Sequence, residues 1–248
     1  MFDLSGKTAL ITGSSKGLGL SIAKALFNSG ATIILNGRNP EALDLASQEI
    51  NPKERIIYKY PFDVTNVEDV NDNITKIKEK IGTIDILVNN AGHNITENFQ
   101  DISEESFDRM LNVHVKGTFF MTQAVYRDMI KRGNGRIINI TSQLAYKGAG
   151  ELTHYCAAKG ANTTFTRALA LECAGTGVLV NAVAPGVTNT DLLTPLSDNL
   201  LDTLKAAIPL NRFAEVDEIA PAVAFLASPE GSFFHGSCIS PNGGEVMF

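Results

Sequence analysis

Cysteine is scarce, and its placement excludes two roles at once. The 248-residue chain has three, Cys156, Cys173 and Cys238, widely spaced and with no C-x-x-C pair. Neither a disulfide framework nor a cysteine zinc site is expected; reduced thiols are. The four histidines, His93, His114, His154 and His235, show no metal-ligand spacing, and no metal is predicted. Positive charge is also in short supply. The 21 Lys and Arg against 27 Asp and Glu leave a formal charge of −6, and basic clusters are as short as Lys131–Arg132. A nucleic-acid binder needs a concentrated positive surface to displace counterions, so that class is excluded. Apolar runs are all far shorter than a membrane span, and the opening MFDLSGKTAL has no basic stretch followed by an apolar signal core. A soluble, cytoplasmic protein without membrane or nucleic-acid partners is expected.

What is present is a globular composition, 44% hydrophobic and 19% charged. Short runs that are apolar on both faces, KTALITG, ATIILNG, RIIYKYPF, IDILVNNAG, GRIINITS, VLVNAVAPG and SCIS, read as buried parallel strands. Between them lie stretches with helical apolar spacing, including a long one from Ser103 to about Arg132 and another from about Leu152 to Cys173. Strand and helix alternate throughout. That pattern predicts an α/β fold, a doubly wound parallel sheet of Rossmann type with about seven strands and helices on both faces, in a single domain over 1–248. The least regular segment, 186–214, is a candidate lid, because ligands in such folds bind beyond the carboxyl ends of the strands.

The first strand and helix are joined by a turn with glycines at 13, 17 and 19. Glycine tolerates the tight backbone and lets a pyrophosphate approach the free N–H groups and positive dipole of a helix N-terminus. Gly13, Ser15, Lys16, Gly17, Leu18 and Gly19 are therefore the candidate phosphate cradle. At the end of the second strand, Asn36–Gly37 offers no carboxylate for the ribose 2′-hydroxyl of NAD, and Arg38 follows. Two cations, Lys16 and Arg38, favour the 2′-phosphate of NADP(H) over NAD(H). The alternative is that both are solvated surface charges.

In HYCAAKGA, residues 154–161, a helix would place Tyr155 and Lys159 one turn apart on one face. With the glycine turn TGSSKGLG (12–19), the run Asn89-Asn90-Ala91-Gly92, Ser142 thirteen residues before Tyr155, and Pro185-Gly186 after the sixth strand, the chain resembles the short-chain dehydrogenase/reductase family over nearly its whole length. The resemblance implies an oxidoreductase passing hydride between nicotinamide and a ketone or secondary alcohol. It makes Tyr155 the general acid and base, Lys159 the holder of the nicotinamide ribose that lowers the tyrosine pKa, and Ser142 the residue orienting the substrate carbonyl. A close ammonium favours the phenolate, so the pairing is physically apt. Asn90, Ala91 and Gly92 would lie along the cofactor, Asp63 and Val64 beside the adenine, and Pro185 and Gly186 at the nicotinamide end, where Thr188 and Thr190 would hold the carboxamide. Thr12 and Asn89 would brace the turn and the strand ends.

One position departs from the family pattern. His114 stands where an asparagine usually belongs to a water-mediated proton relay from the lysine, a role carried in part by the backbone carbonyl. Either the imidazole relays protons, or it packs at a helix irregularity, with Asn112 as a substitute if the helix is locally shifted. Cys156 reads as a small buried filler. Specificity is expected from His93–Asn94, 143–152, His154 and the 186–214 excursion with Leu192 and Leu193, with a lean toward a compact ketone or polyol. The chain is also similar to 3-oxoacyl carrier-protein reductases in IPLNRFAEVDEIA, but Leu171 replaces an arginine frequent there. A catalytically silent NADP(H)-binding sensor is the rival of another class. The family resemblance also implies a homotetramer.

Overall fold

Segments apolar on both faces bury all of their surface only between two helical layers. The computed structural model, which describes residues 2–51, 56–191, 193–194 and 196–247, has that arrangement. Seven strands, β1 (Thr8–Ile11), β2 (Thr32–Gly37), β3 (Ile57–Pro61), β4 (Ile86–Asn89), β5 (Gly135–Ile140), β6 (Val178–Val183) and β7 (Cys238–Ile239), form one parallel sheet in the order β3-β2-β1-β4-β5-β6-β7. Register fixes which side chain enters which layer. Ile11 and Ile33 face a core with α1 (Gly17–Asn28), α2 (Pro40–Ile50) and α9 (Val216–Ala227). Leu10, Ile34 and Leu87 face the opposite core, built with α3 (Val67–Lys80), α5 (Thr118–Arg132) and α7 (Thr153–Glu172). Each fully buried Leu or Ile contributes about 1.5–3 kcal/mol, and a one-residue slip would exchange the two sets.

Strand order reverses between β1 and β4, which opens a crevice at the carboxyl edge. The segments after β1, β4, β5 and β6 all emerge on that edge, so glycine turn, Asn90–Gly92, Ser142 and Pro185–Gly186 are brought together from four distant parts of the chain. The stretch after Ser103 is α4 (Glu104–Leu111), capped by Ser103 Oγ accepting from Ser106 N at 3.1 Å, and then a π-helical turn over Asn112–Gly117 that runs into α5. The short α6 (Leu144–Lys147) follows Ser142. Within 186–214, α8 (Asp198–Ala206) has no buried residue, and a bridge between Thr188 and Ala214 closes the base of the excursion. The expectation for Leu192 falls outside the described residues. Among the described residues no helix is long and apolar enough to cross a membrane.

Candidate active site

The glycine turn is held from below and left open above. Thr12 Oγ1 accepts from the backbone of Asn90 (2.9 Å) and Ala91 (3.0 Å), while Asn90 Nδ2 donates to the carbonyls of Thr12 and Gly13, both at 3.0 Å. Ser14 Oγ donates to Ile11 O at 2.8 Å and accepts from Asn36 N at 3.0 Å. A Cβ on Gly13, whose φ is +62°, would lie 2.8 Å from Ala91 Cα, and one on Gly19 would collide with the Gly13 carbonyl and lie 2.5 Å from Asn90 Nδ2. No side chain caps the N-terminus of α1. Free N–H groups at a helix start, above a floor too tight for any Cβ, fit a diphosphate. Asn90 thus braces the loop through its amide, alongside Thr12.

The side chains proposed for the adenosine end are placed as follows. Asn36 spends its amide on Tyr60 O (3.2 Å) and Phe62 O (3.1 Å), so the end of β2 presents no carboxylate toward a ribose. Arg38 is exposed and unpaired among the described residues. Lys16 is exposed too, but its Nζ lies 2.8 Å from Asp191 in the excursion. Asp63 Oδ1 accepts from Thr65 N and Oγ1, both at 2.8 Å, and Val64 is buried against Gly117. Toward the other end, Gly186 N donates to Pro241 O at 3.0 Å, and Thr188 Oγ1 to Gly186 O at 3.0 Å. Thr190 reaches the glycine turn, its Cγ2 being 3.8 Å from where a Gly17 Cβ would stand. A cleft of about 660 Å³ opens beside Asn189 and Thr190 under α8, lined also by Leu193, Lys205 and Phe213.

Ser142, Tyr155 and Lys159 converge at the carboxyl ends of β5 and β6. Ser142 is buried; its Oγ accepts from Leu144 N at 3.1 Å, and its hydroxyl is near enough to the Tyr155 phenol to lower that group's pKa. Lys159, also buried, donates from Nζ to Ile140 O at 2.8 Å and lies 5.6 Å from the centre of the Tyr155 ring. The expected electrostatics are reversed here. Burial pushes the Tyr155 phenol up to about 12 despite the opposing influence of Ser142, and burial lowers Lys159 to about 7. The physical reason is placement: both groups are desolvated, and the ammonium sits over the ring and on a carbonyl rather than against the phenol oxygen. Cys156 is half-buried rather than buried, and burial raises its thiol, so it lacks the thiolate a nucleophile needs.

His114 lies in the π-helical turn, 2% exposed. Its Nε2 lies 2.7 Å from His93 O and 3.3 Å from His93 N; the shorter contact, to a pure acceptor, favours the hydrogen on Nε2 over acceptance from that N–H, and Nδ1 has no partner among the described residues. The ring stands edge-on to Tyr155 with centroids 5.4 Å apart and fills the space where a Gly92 Cβ would go. Burial, reinforced by Lys159, holds its pKa well below the usual imidazole value. Its backbone carbonyl accepts from Asn162 Nδ2 at 2.9 Å, whereas Asn112 makes no such contact. Asn162 was missed in the sequence, although its position three residues after Lys159 puts it on the same helix face. The asparagine pair is explained as well: Asn89 Nδ2 donates to Thr122 Oγ1 and Asn139 Oδ1, both at 2.9 Å, tying β4 to α5 and β5.

Of the polar residues expected to set specificity, His93, Asn94, Gln143 and His154 each retain a buried side-chain atom without a hydrogen-bond partner among the described residues, and the His93 ring lies 5.8 Å from that of His114. His154 Nε2 lies 3.5 Å from Glu97 Oε2, and Glu97 also accepts from Ser106 Oγ. Glu151 is exposed in a left-handed conformation at φ 59°. Among the described residues no cluster of His, Cys, Asp and Glu could hold a metal ion.

A family model described as short chain dehydrogenase matches residues 7–201. The chain is 36% identical to a gluconate 5-dehydrogenase of Gluconobacter oxydans over 249 aligned positions, covering 100% of this chain and 97% of that protein. It is also 36% identical to a 3-oxoacyl-(acyl-carrier-protein) reductase of Thermotoga maritima, over 98% of this chain and 99% of the other. The crystal structure of a gluconate 5-dehydrogenase from Burkholderia cenocepacia in complex with NADP and tartrate superposes with a TM-score of 0.95 at 34% identity, covering 98% and 96% of the two chains.

Proposed function

Because this chain belongs to the short-chain dehydrogenase family, whose members are nicotinamide-dependent oxidoreductases of small molecules, we propose that it moves hydride between NADP(H) and a compact ketone or secondary alcohol, with Tyr155 as general acid and base. The observation that carries the reading is the convergence of Ser142, Tyr155 and Lys159 beside an uncapped, glycine-floored helix N-terminus. When bound, nicotinamide supplies or accepts the hydride. Ser142 orients the carbonyl oxygen toward the Tyr155 hydroxyl. With its pKa near 12 that phenol is protonated at neutral pH, the state in which it gives a proton to a carbonyl being reduced. Alcohol oxidation needs the opposite state, reached when the Lys159 ammonium is drawn toward the phenol oxygen. His114 serves as a clamp: its ring fastens the loop at His93, and its carbonyl is held by Asn162 on the helix that carries Lys159.

Arg38 and Lys16 would take the 2′-phosphate, Lys16 after leaving Asp191, and the related NADP complex supports the choice of NADP(H). The polar set His93, Asn94, Gln143 and His154 supports a hydroxylated substrate over an acyl thioester. Leu171, 81% exposed where an acidic carrier would need a cation, points the same way. The chain 1–248 is read as one working unit with 186–214 as its substrate cover. Exposed Phe107, Phe119 and Leu171 on α4, α5 and α7, with Phe233 and Met247 near the C-terminus, support a homotetramer, which a monomeric mass in solution would overturn. Free Cys156, Cys173 and Cys238 suit the cytoplasm. The test is oxidation of NADPH and NADH over keto sugars and keto acids of sugars, diketones, 3-oxoacyl thioesters and simple ketones. NADPH-selective turnover that vanishes in Tyr155→Phe is expected; NADPH binding without turnover of any compound would leave a silent sensor instead.

A further inference from the structure

Ser142 opens the short α6, and that helix is stapled from the far end of the chain. Ser142 Oγ accepts from Leu144 N at 3.1 Å and its carbonyl from Ala145 N at 3.0 Å, so the first turn of α6 sets where the hydroxyl stands. Glu245, in the C-terminal segment, spans α6 with one carboxylate. Its Oε2 accepts from Gln143 Nε2, 102 positions away, and its Oε1 is paired with Lys147, the last residue of the helix. The segment that delivers Glu245 is itself fixed. Asn242, 6% exposed, accepts from Gly244 N at 2.9 Å and donates to Val246 O at 2.8 Å, one residue to either side of Glu245. Pro241 O accepts from Gly186 N at 3.0 Å, and Gln143 N donates to Pro185 O at 3.1 Å. The segments after β5 and β6 and the C-terminal tail therefore close on one another.

We propose that Glu245 is a positioning residue for hydride transfer, which holds Ser142 beside Tyr155 by pinning both ends of α6. The inference rests on the ketone-reductase reading above and deepens it by naming what keeps the carbonyl-orienting serine in place. Stability alone does not account for this carboxylate, whose side chain is 4% exposed. Exchanging a buried ion pair for apolar residues of like volume is often neutral or stabilising, so the use of a carboxylate is better explained by the direction of its bonds. Two bonds from one planar group fix both the distance and the angle of α6 relative to the tail, whereas one bond would leave the helix free to pivot. Ser142 directly precedes the pinned Gln143, and reacting geometry tolerates little error. A displacement of about 1 Å caused by a substitution away from the chemistry can cost about 10²-fold in rate. The diphosphate cradle is built from β1, α1 and Asn90, through contacts that Glu245 does not make.

The experiment measures kcat and KM with NADPH and butane-2,3-dione, or the panel ketone that turns over fastest, together with NADPH affinity by fluorescence titration. Glu245→Ala is expected to lower kcat about 10–100-fold while KM and NADPH affinity stay within about twofold, because orientation of the carbonyl counts in the transition state. Glu245→Gln, whose Oε1 can still accept from Gln143, recovers most of the loss. Should Glu245→Ala fold poorly, judged by melting temperature and NADPH binding, Glu245→Met fills the same volume and shows the same fall in kcat. In the Ser142→Ala background Glu245→Ala has no further effect, because Glu245 acts through Ser142. Unchanged kcat in Glu245→Ala and Glu245→Met, a loss that Glu245→Gln does not recover, additive losses in the double variant, or a loss carried wholly by NADPH affinity would each overturn the inference and leave hydride transfer intact. Absence of NADPH oxidation with every compound of the panel would overturn both.

Discussion

The two ends of the crevice are built on opposite principles. Under the glycine turn nearly every polar side chain is spent: Thr12, Ser14, Asn36 and Asn90 bond to backbone, and what is offered to a ligand is main-chain N–H above glycine. Around Tyr155 the reverse holds. His93 Nε2, Asn94 Oδ1, His114 Nδ1, Gln143 Oε1 and both ring nitrogens of His154 are buried without a hydrogen bond, and Lys159 is a buried ammonium held by one carbonyl. Unsatisfied buried polar groups destabilise a fold, and although Asn89, Arg132 and Arg136 each also leave one such atom elsewhere, those next to Tyr155 lie where recognition and proton transfer would use them. A satisfied frame fixes a ligand common to many relatives, and an unsatisfied set selects what is particular to one.

Five substitutions would sharpen or break this contrast. The largest effect is expected for Lys159→Met, which should cost about 10²–10³ in turnover, the scale of disabling a general acid–base system. The same change should stabilise the chain at low pH. Burial lowers Lys159 to about 7, so between pH 7 and roughly 10.4 the unfolded chain holds a proton that the folded chain does not. Wild-type stability therefore rises with pH across that window, and the handicap is complete below it. Melting curves should show the variant's advantage greatest near pH 6 and shrinking toward pH 10; a constant offset would remove the buried-ammonium account.

Gly19→Ala comes next. Its methyl would push into the Gly13 carbonyl and Asn90 Nδ2, and NADPH affinity measured by fluorescence titration should drop about 10–100-fold, matching the usual 1–3 kcal/mol of overpacking. Undiminished affinity would mean the frame is softer than it looks. Arg38→Ala should lower the preference for NADPH over NADH by about tenfold, the loss of one charge-assisted contact. Lys16→Ala should do less, since that side chain already has Asp191, and an unchanged preference in both would remove the basis for choosing NADP(H).

His114→Asn should have the smallest effect on turnover. Because burial holds the imidazole well below its usual value, the folded chain refuses a proton that the unfolded chain accepts, and stability is lost as pH falls below about 6.5. The variant should lose that acid sensitivity while its pH–rate profile near neutrality stays as in the wild type. A shifted profile would make His114 a proton relay and not a clamp.

Much of this was legible along the chain because it depends on local chemistry. Alternating apolar runs announced the parallel sheet, since strands buried on both faces have no polar side to show, and the glycine spacing announced a turn no side chain could enter. The Tyr155–Lys159 pair followed from one helical turn. Other features were illegible for a physical reason. The π-helical turn at 112–117 depends on how α4 and α5 are joined against β4, and the high phenol and low ammonium pKa values depend on desolvation, a property of everything packed around a group.

The amino-acid order by itself determined the fold class and singled out the candidate cradle and the candidate trio, because strand, turn and helix signals act over a few residues. Only the tertiary structure decided how Glu245 reaches Gln143, how Asn162 holds the His114 carbonyl, and which end of the crevice is left with unpaired groups. Those contacts join residues far apart in sequence through geometry that no local pattern encodes, and burial, which sets their strength, exists only once the chain has closed on itself.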